Sequence, residues 1–283
     1  MNVLSLFDGI SCGQLALNRA GVKYDTYYSS EIDQNAIKVT QLNFPDTVQL
    51  GPIQSVKASN LKPIDLLIGG SPCQGFSFAG NMLSFNDPRS QLFFEFVRVL
   101  KECNPKYFLL ENVVMRKQDQ AVITNMLGVA PIKINSSLVS AQNRPRLYWT
   151  NIPINSLPND KGINFASIME FNADPKHNLS AGAINRVLNA LRGRKKFYGV
   201  HTPKVGALLA QYAKIPTDGC YIEDGATRRK ITPLEAERLQ TVPDGYTASL
   251  ADTHRYHALG NGWTVDVIAH IFSGINSASV VTP

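Results

Sequence analysis

Four side chains in this 283-residue chain combine a reactive type with a suggestive setting: Cys73, Glu111, Arg144 and Arg146. Cys73 lies in Gly69-Gly70-Ser71-Pro72-Cys73-Gln74-Gly75-Phe76-Ser77, after the apolar run Leu66-Leu67-Ile68. That run reads as a buried parallel strand, which the glycines and proline then stop and turn. The cysteine is thereby held beyond the strand's carboxyl end, where open α/β sheets keep their ligand chemistry. A cysteine so placed could act as a nucleophile, although most free cysteines are small buried hydrophobes and position alone does not choose. Glu111 follows the apolar run Tyr107-Phe108-Leu109-Leu110. A carboxylate there is costly to bury unless paired or protonated, which makes it a site candidate; an acid at a helix start is the plainer alternative. Arg144 and Arg146, two apart beside a strand, point the same way. They serve either a site or the surface.

The elements that must position these groups follow from the apolar pattern. Val3 to Phe7 reads as a strand broken by Asp8-Gly9, followed by Gly13 and a helix that ends at Gly21. Strand, glycine turn and helix open a cofactor-binding α/β fold, although the GxGxxG fingerprint is missing. Tyr27 to Ser30 is the next strand. Glu31, just beyond it, either accepts hydrogen bonds from ribose hydroxyls or caps the helix expected over Asn35 to Asn43. Phe78 to Arg89, rich in Gly, Asn, Asp, Ser and Pro, reads as a long flexible loop. Ser90 to Lys101 reads as a helix with Leu92, Phe93, Phe96, Val97 and Leu100 on its apolar face, and Ile132 to Asn135 as a further strand. Thr232 and Pro233 cap and start another helix. A last helix carries Val267, Ile268 and Ile271.

Composition sets the broad class. Hydrophobic residues make up 44%, the formal net charge is +6 and the pI is near 9.1, so the chain is globular and basic. The cysteines at 12, 73, 103 and 220 lack the close spacing of a metal site or redox dithiol. Neither a signal peptide nor a membrane-spanning run is read, which predicts a reducing, cytoplasmic setting. A boundary is expected near Pro153 to Asn159. From Pro175 through Pro216 there is no acid, while Lys176, Arg186, Arg192, Arg194, Lys195, Lys196, Lys204 and Lys214 are interleaved with Phe197 and Tyr198. That window reads as a nucleic-acid surface.

The string around Cys73 closely resembles the catalytic Pro-Cys motif of the cytosine-C5 DNA methyltransferases. Glu111-Asn112-Val113, Gln142-Asn143-Arg144-Pro145-Arg146 and Gly260-Asn261-Gly262-Trp263 resemble further family motifs in the family's order, over nearly the whole chain. Phe7-Asp8-Gly9-Ile10, Gly-Asn-Gly-Trp and the short recognition region are closest in style to the short, de novo type, whether animal de novo-like or a phage or bacterial orphan enzyme. The resemblance implies a Rossmann-like fold dependent on S-adenosylmethionine, with a small basic target recognition lobe. It divides the chain into a catalytic and cofactor-binding part (1–155), a recognition region (160–225) and a return that closes the cofactor pocket (226–283).

Cys73 is then the nucleophile at cytosine C6, Glu111 grips N3 and the exocyclic amine, Arg146 holds O2, and Arg144 orders the surrounding loop. Cofactor contacts fall to Phe7, Asp8, Gly9, Gly13, Glu31, Ile32, Ile53, Pro72, Leu92, Asn261 and Trp263. Relatives carry an Asp after the glycine where this chain has Gly51-Pro52-Ile53, so only the backbone at Ile53 remains for the adenine edge. Gln74, Ser77, Arg194, Lys195 and Lys196 are expected to touch double-stranded DNA around a flipped base. Neither metal nor membrane is implied. A monomer or weak homo-oligomer is expected in a prokaryotic or phage-like cytoplasm, and the sequence does not say whether a cognate restriction enzyme exists. Methylation of transfer RNA by a branch of the same family, and a noncatalytic DNA-binding module, are the alternatives kept open.

Overall fold

A computed structural model describes residues 1–71, 88–190, 197–199, 201–215, 220–225 and 227–278. In chain order the strands are β1 (Asn2–Leu6), β2 (Thr26–Ser30), β3 (Val48–Gln49), β4 (Leu66–Gly70), β5 (Tyr107–Val113), β6 (Ile132–Asn135), β7 (Gln142–Asn143), β8 (Pro145–Thr150), β9 (Phe197–Gly199), β10 (Val205–Gly206), β11 (Tyr221–Asp224) and β12 (Thr227–Lys230). The helices are α1 (Cys12–Arg19), α2 (Gln34–Asn43), α3 (Pro88–Cys103), α4 (Lys117–Leu127), α5 (Ala181–Ala190), α6 (Pro233–Leu239), α7 (Asp252–Asn261) and α8 (Val265–Ala278). The chain forms two compact units. The first comprises Met1–Ile134, Pro145–Leu157 and Ile268–Pro283, and the second Asn135–Arg144 and Pro158–Val267. Division by compactness thus places residues 226–267 with the second unit, a different cut from the functional spans expected above.

In the first unit, seven strands form one sheet in the order β3-β2-β1-β4-β5-β8-β6. Strands β3, β2, β1, β4 and β5 run parallel, and β8 is antiparallel to β5. This is the Rossmann-like, doubly wound order: from β1 the chain winds outward through β2 and β3, then returns to β4 on the other side. The carboxyl ends of β1 and β4 therefore flank a switch point, where such sheets bind ligands.

Alternation along the strands assigns the two faces. Leu4, Leu6 and Leu67 pack in one cluster with Phe93 and Phe96 of α3. Each side chain fully buried there contributes about 1.5–3 kcal/mol. On the opposite face, a Cβ at Gly13 of α1 would meet Ile68 Cδ1 at 2.5 Å and the Tyr27 hydroxyl at 2.6 Å. Gly13 is thus required for helix-on-sheet packing.

The second unit holds a parallel pair, β7 with β10, and a three-stranded sheet, β12-β11-β9. Thr232 caps α6 as its sequence predicts. Its hydroxyl accepts from Glu235 N at 3.1 Å, Glu235 Oε2 accepts from Thr232 N at 2.7 Å, and Pro233 opens the helix. Arg229 Nη2 also bonds Glu235 Oε1 at 2.7 Å with both side chains buried, so this cap is cross-braced to β12.

Candidate active site

The loop from β1 to α1 is tightly wound. Phe7, Gly9 and Ser11 all have φ near +58° to +59°, a region that L side chains rarely adopt. Glu31 fixes this loop. Its Oε2 accepts from Gly9 N at 2.7 Å, and its Oε1 accepts from Ile32 N at 2.7 Å and Asp33 N at 2.9 Å. The helix-capping alternative falls to a neighbour: Asp33 is the N-cap of α2 and accepts from Asn35 N at 2.9 Å. Each carboxylate oxygen has two lone-pair directions, so Oε2 keeps one for an incoming hydroxyl. Ile32 is 70% exposed beside it, and a Cβ at Gly9 would meet nothing within 4 Å. A residual acceptor, an aliphatic surface and open space over a glycine suit the ribose and base of an adenosyl group. Phe7 and Leu92 are partly buried against the α3-side core, and the Ile53 side chain is buried in that core.

At two of the expected cofactor positions the side-chain position serves the fold, which leaves the main chain for any cofactor contact. The Asp8 side chain turns inward: Oδ1 accepts from the Tyr27 hydroxyl at 2.8 Å, and Oδ2 from Ser11 Oγ at 2.6 Å and Ser29 Oγ at 3.0 Å. Burial raises its pKa, and the hydroxyl bonds pull it partly back. Asp8 is therefore a hub that shapes the loop from below. Gly13 faces Tyr27 and Ile68, so its missing side chain serves packing.

On the other side of the switch point, Gly70 of β4 pairs with Glu111 of β5, and Val113 of β5 with Arg146 of β8. Glu111 and Arg146 project from one face of this antiparallel pair. Arg146 Nε lies 3.0 Å from Glu111 Oε1, with the side chains 14% and 12% exposed. Arg146 Nη1 also donates to the carbonyl of Pro145 at 2.9 Å. The pair presents a carboxylate acceptor beside a guanidinium donor, complementary to a ring carrying donor and acceptor groups side by side.

Asn112, quoted from sequence only as part of the Glu111-Asn112-Val113 motif, donates from Nδ2 to Ser71 O at 3.2 Å and Oγ at 3.3 Å. It anchors the segment that leads into the Pro-Cys turn. A polar residue inside a buried strand was the available signal. Pro72, Cys73, Gln74 and Ser77 lie outside the described residues, as do Arg194, Lys195 and Lys196.

Arg144 belongs to the second unit and is 4% exposed. Its Nη1 donates to Leu208 O at 2.7 Å, and its Nη2 to the carbonyls of Gly260 and Gly262, each at 3.0 Å. A Cβ on Gly260 would fall 2.3 Å from Ala210 N, so the segments at 208–210 and 260–262 are in close approach and Arg144 locks them. Asn261, in that turn, is exposed and 3.2 Å from His257 Nε2, while Trp263 is half-buried. Two cations of the acid-free window are engaged internally: Lys204 Nζ donates to Ile163 O at 2.6 Å and Ser140 O at 3.0 Å, and Lys176 Nζ pairs with Asp252 at 3.0 Å. Among the described residues there is no cluster of three or more His, Cys, Asp or Glu able to hold a metal. Likewise, no described helix is long and apolar enough to cross a membrane.

A switch-point sheet with Glu31 fixing the first loop on one side and a partly buried Glu–Arg pair on the other has the Rossmann-like form of a nucleotide-cofactor transferase. The chain matches the model of the C-5 cytosine-specific DNA methylase family over residues 1–199 and 193–277, and belongs to that family. It is 32% identical to the Type II methyltransferase M1.ScrFI of Lactococcus lactis subsp. cremoris, over 94% of this chain and 75% of that one. It is 30% identical to the Type II methyltransferase M.SsoII of Shigella sonnei, over 97% and 80% respectively. The crystal structure of the S. pombe Dnmt2 methyltransferase shares the fold with a TM-score of 0.82 at 18% identity, covering 99% of both chains. The protein is an S-adenosylmethionine-dependent cytosine-C5 methyltransferase.

Proposed function

We propose that the chain methylates C5 of a cytosine flipped out of duplex DNA, through a covalent bond between Cys73 and C6. The observation that carries this reading is the Glu111–Arg146 pair at 3.0 Å, across β5 and β8, with Glu111 in register with Gly70 at the end of β4, just before the Pro-Cys motif. Cytosine C5 is a weak nucleophile. Addition of the Cys73 thiolate at C6 pushes an electron pair toward C5 and leaves negative charge on the ring. Glu111 accepts from the exocyclic amine and from a proton carried on N3, while Arg146 donates to O2, so the charge develops against fixed partners. The bound cofactor supplies an electrophilic methyl group on a sulfonium sulfur. Transfer of the C5 proton to a base, a water or a side chain, then returns its bonding pair to the C5–C6 bond and expels the thiolate from C6, which restores the ring and frees Cys73. Asn112 holds Ser71, two residues before the nucleophile.

Glu31 takes a ribose hydroxyl on Oε2, with Phe7, Gly9, Ile32, Ile53, Pro72 and Leu92 around the cofactor. The basic window, within a recognition region of residues 160–225, holds phosphates and supplies the few base-edge contacts of a short site. A base held inside a duplex must be extruded to reach such a pocket. The bacterial and phage sources of the similar enzymes support work in a prokaryotic or phage-like cytoplasm. The test is incubation with unmodified duplex DNA and, in parallel, transfer RNA, each with a radiolabelled methyl donor, followed by bisulfite mapping. Label at one short DNA sequence context is expected. Label confined to RNA, or none in either, overturns the reading.

A further inference from the structure

The segment from Gly51 to Val56 follows β3 and lies next in the sheet to the end of β2, where Glu31 stands. If Glu31 takes the ribose, the base of the cofactor falls toward this segment. Yet Pro52 has no polar side-chain atom and no N–H, so recognition there must come from the main chain. Main-chain recognition demands that the backbone be held still, and the structure supplies two braces.

Ser30, the last residue of β2, donates from Oγ to Gly51 O at 2.8 Å, fixing a glycine at φ +74°. From α3, Arg98 reaches across 45 and 42 residues of sequence to the same segment. Its Nη2 donates to Ile53 O at 3.1 Å and its Nη1 to Val56 O at 3.0 Å. The guanidinium is itself held by carboxylates: Nε and Nη2 donate to Glu95 Oε2 at 2.9 and 2.7 Å, and Nη1 to Glu102 Oε1 at 2.8 Å. All five N–H donors of the fork are thereby engaged. Glu102 Oε2 is also 3.5 Å from Ala58 N, one turn further on.

An arginine whose only task were a surface ion pair would not spend two donors on carbonyls three residues apart. We propose that Arg98 is a positioning residue for base recognition in the cofactor. It fixes the main chain from Ile53 to Val56, directly after Pro52, which leaves no side-chain contact, while Ser30 holds Gly51 on the other side. The proposal rests on the cofactor placement above, which Glu31→Ala tests separately.

The experiment is calorimetric binding of S-adenosylhomocysteine and of its inosine counterpart to the wild type, Arg98→Met, Arg98→Lys and Glu31→Ala. The inosine compound carries an oxygen where adenine has its amino group and a proton on the neighbouring ring nitrogen, so only the base edge differs. The wild type should prefer the adenine compound. Arg98→Met should bind it about tenfold more weakly, the scale of two lost hydrogen bonds, and its preference over the inosine compound should fall toward unity. Arg98→Lys keeps the charge without the fork and should lose the preference as well; it carries the test alone if the methionine variant does not fold. A merely structural role would weaken both compounds equally, so a preserved ratio in Arg98→Lys overturns the proposal. Unchanged affinity in Glu31→Ala would instead remove the cofactor placement itself.

Discussion

Replacing Glu111 by glutamine changes one oxygen to an amide and removes a charge while nearly preserving shape. In the resting protein the loss is the attraction between two charges, since the guanidinium at 3.0 Å stays charged and can still donate to the amide oxygen. Folding should therefore weaken by no more than about 1 kcal/mol. Catalysis should suffer more, because the carboxylate holds the proton on N3 that neutralises the negative charge developing on the ring, and an amide cannot. Removal of one preorganised electrostatic partner costs about 10²–10³ in rate. Single-turnover methylation of a target duplex at saturating cofactor gives the rate, calorimetry with S-adenosylhomocysteine gives cofactor affinity, and a urea titration gives stability. The account predicts a fall of at least a hundredfold (about 10²) in rate with cofactor affinity unchanged. Loss of both in equal measure would make Glu111 structural, and near-normal turnover would remove it from the chemistry.

Two further outcomes follow from buried groups. Burial raises the Asp8 pKa above its unfolded reference of 3.8, so the folded state keeps this proton to higher pH. Its contribution to stability is complete below the unfolded value and is lost as pH rises through the folded one. The melting-temperature advantage of the wild type over Asp8→Asn should therefore shrink as pH rises through that window, and parallel curves would refute it. Arg144→Met leaves the carbonyls of Leu208, Gly260 and Gly262 without this donor and should destabilise the protein by about 2 kcal/mol or more; wild-type stability with activity lost would assign Arg144 to the base or its loop.

Much of the fold is legible because its signals are local. The apolar runs before Asp8, Glu31, Gly69 and Glu111 become β1, β2, β4 and β5, since buried parallel strands read as continuous hydrophobic segments. The Thr232-Pro233 start of α6 and its capping box are settled within four residues. The site is legible where a charged group stands at a strand end, as Glu31 and Glu111 do. What was missed depends on partners far along the chain. Asp8 reads as a loop acid until Tyr27 and Ser29 close over it. Arg98 reads as an exposed helix position until Ile53 and Val56 are brought beneath it. Lys204 reads as surface charge although it clamps two carbonyls. The inclusion of Asn135–Arg144 in the second unit has no local signature, because β7 finds its partner in β10, some sixty residues onward.

The covalent step is the centre of the account, and trapping tests it most directly. A duplex carrying 5-fluorocytosine at the target position has no proton at C5, so elimination from C6 is blocked after methyl transfer. Wild-type protein with this duplex and S-adenosylmethionine should give a protein–DNA band that survives denaturation, with the DNA attached to the peptide containing Cys73. Cys73→Ala should give no such band while still shifting the duplex in a native gel, and should methylate ordinary DNA more than about a hundredfold more slowly. A wild type that forms no adduct, or an alanine variant that still forms one, would contradict attack by Cys73 at C6.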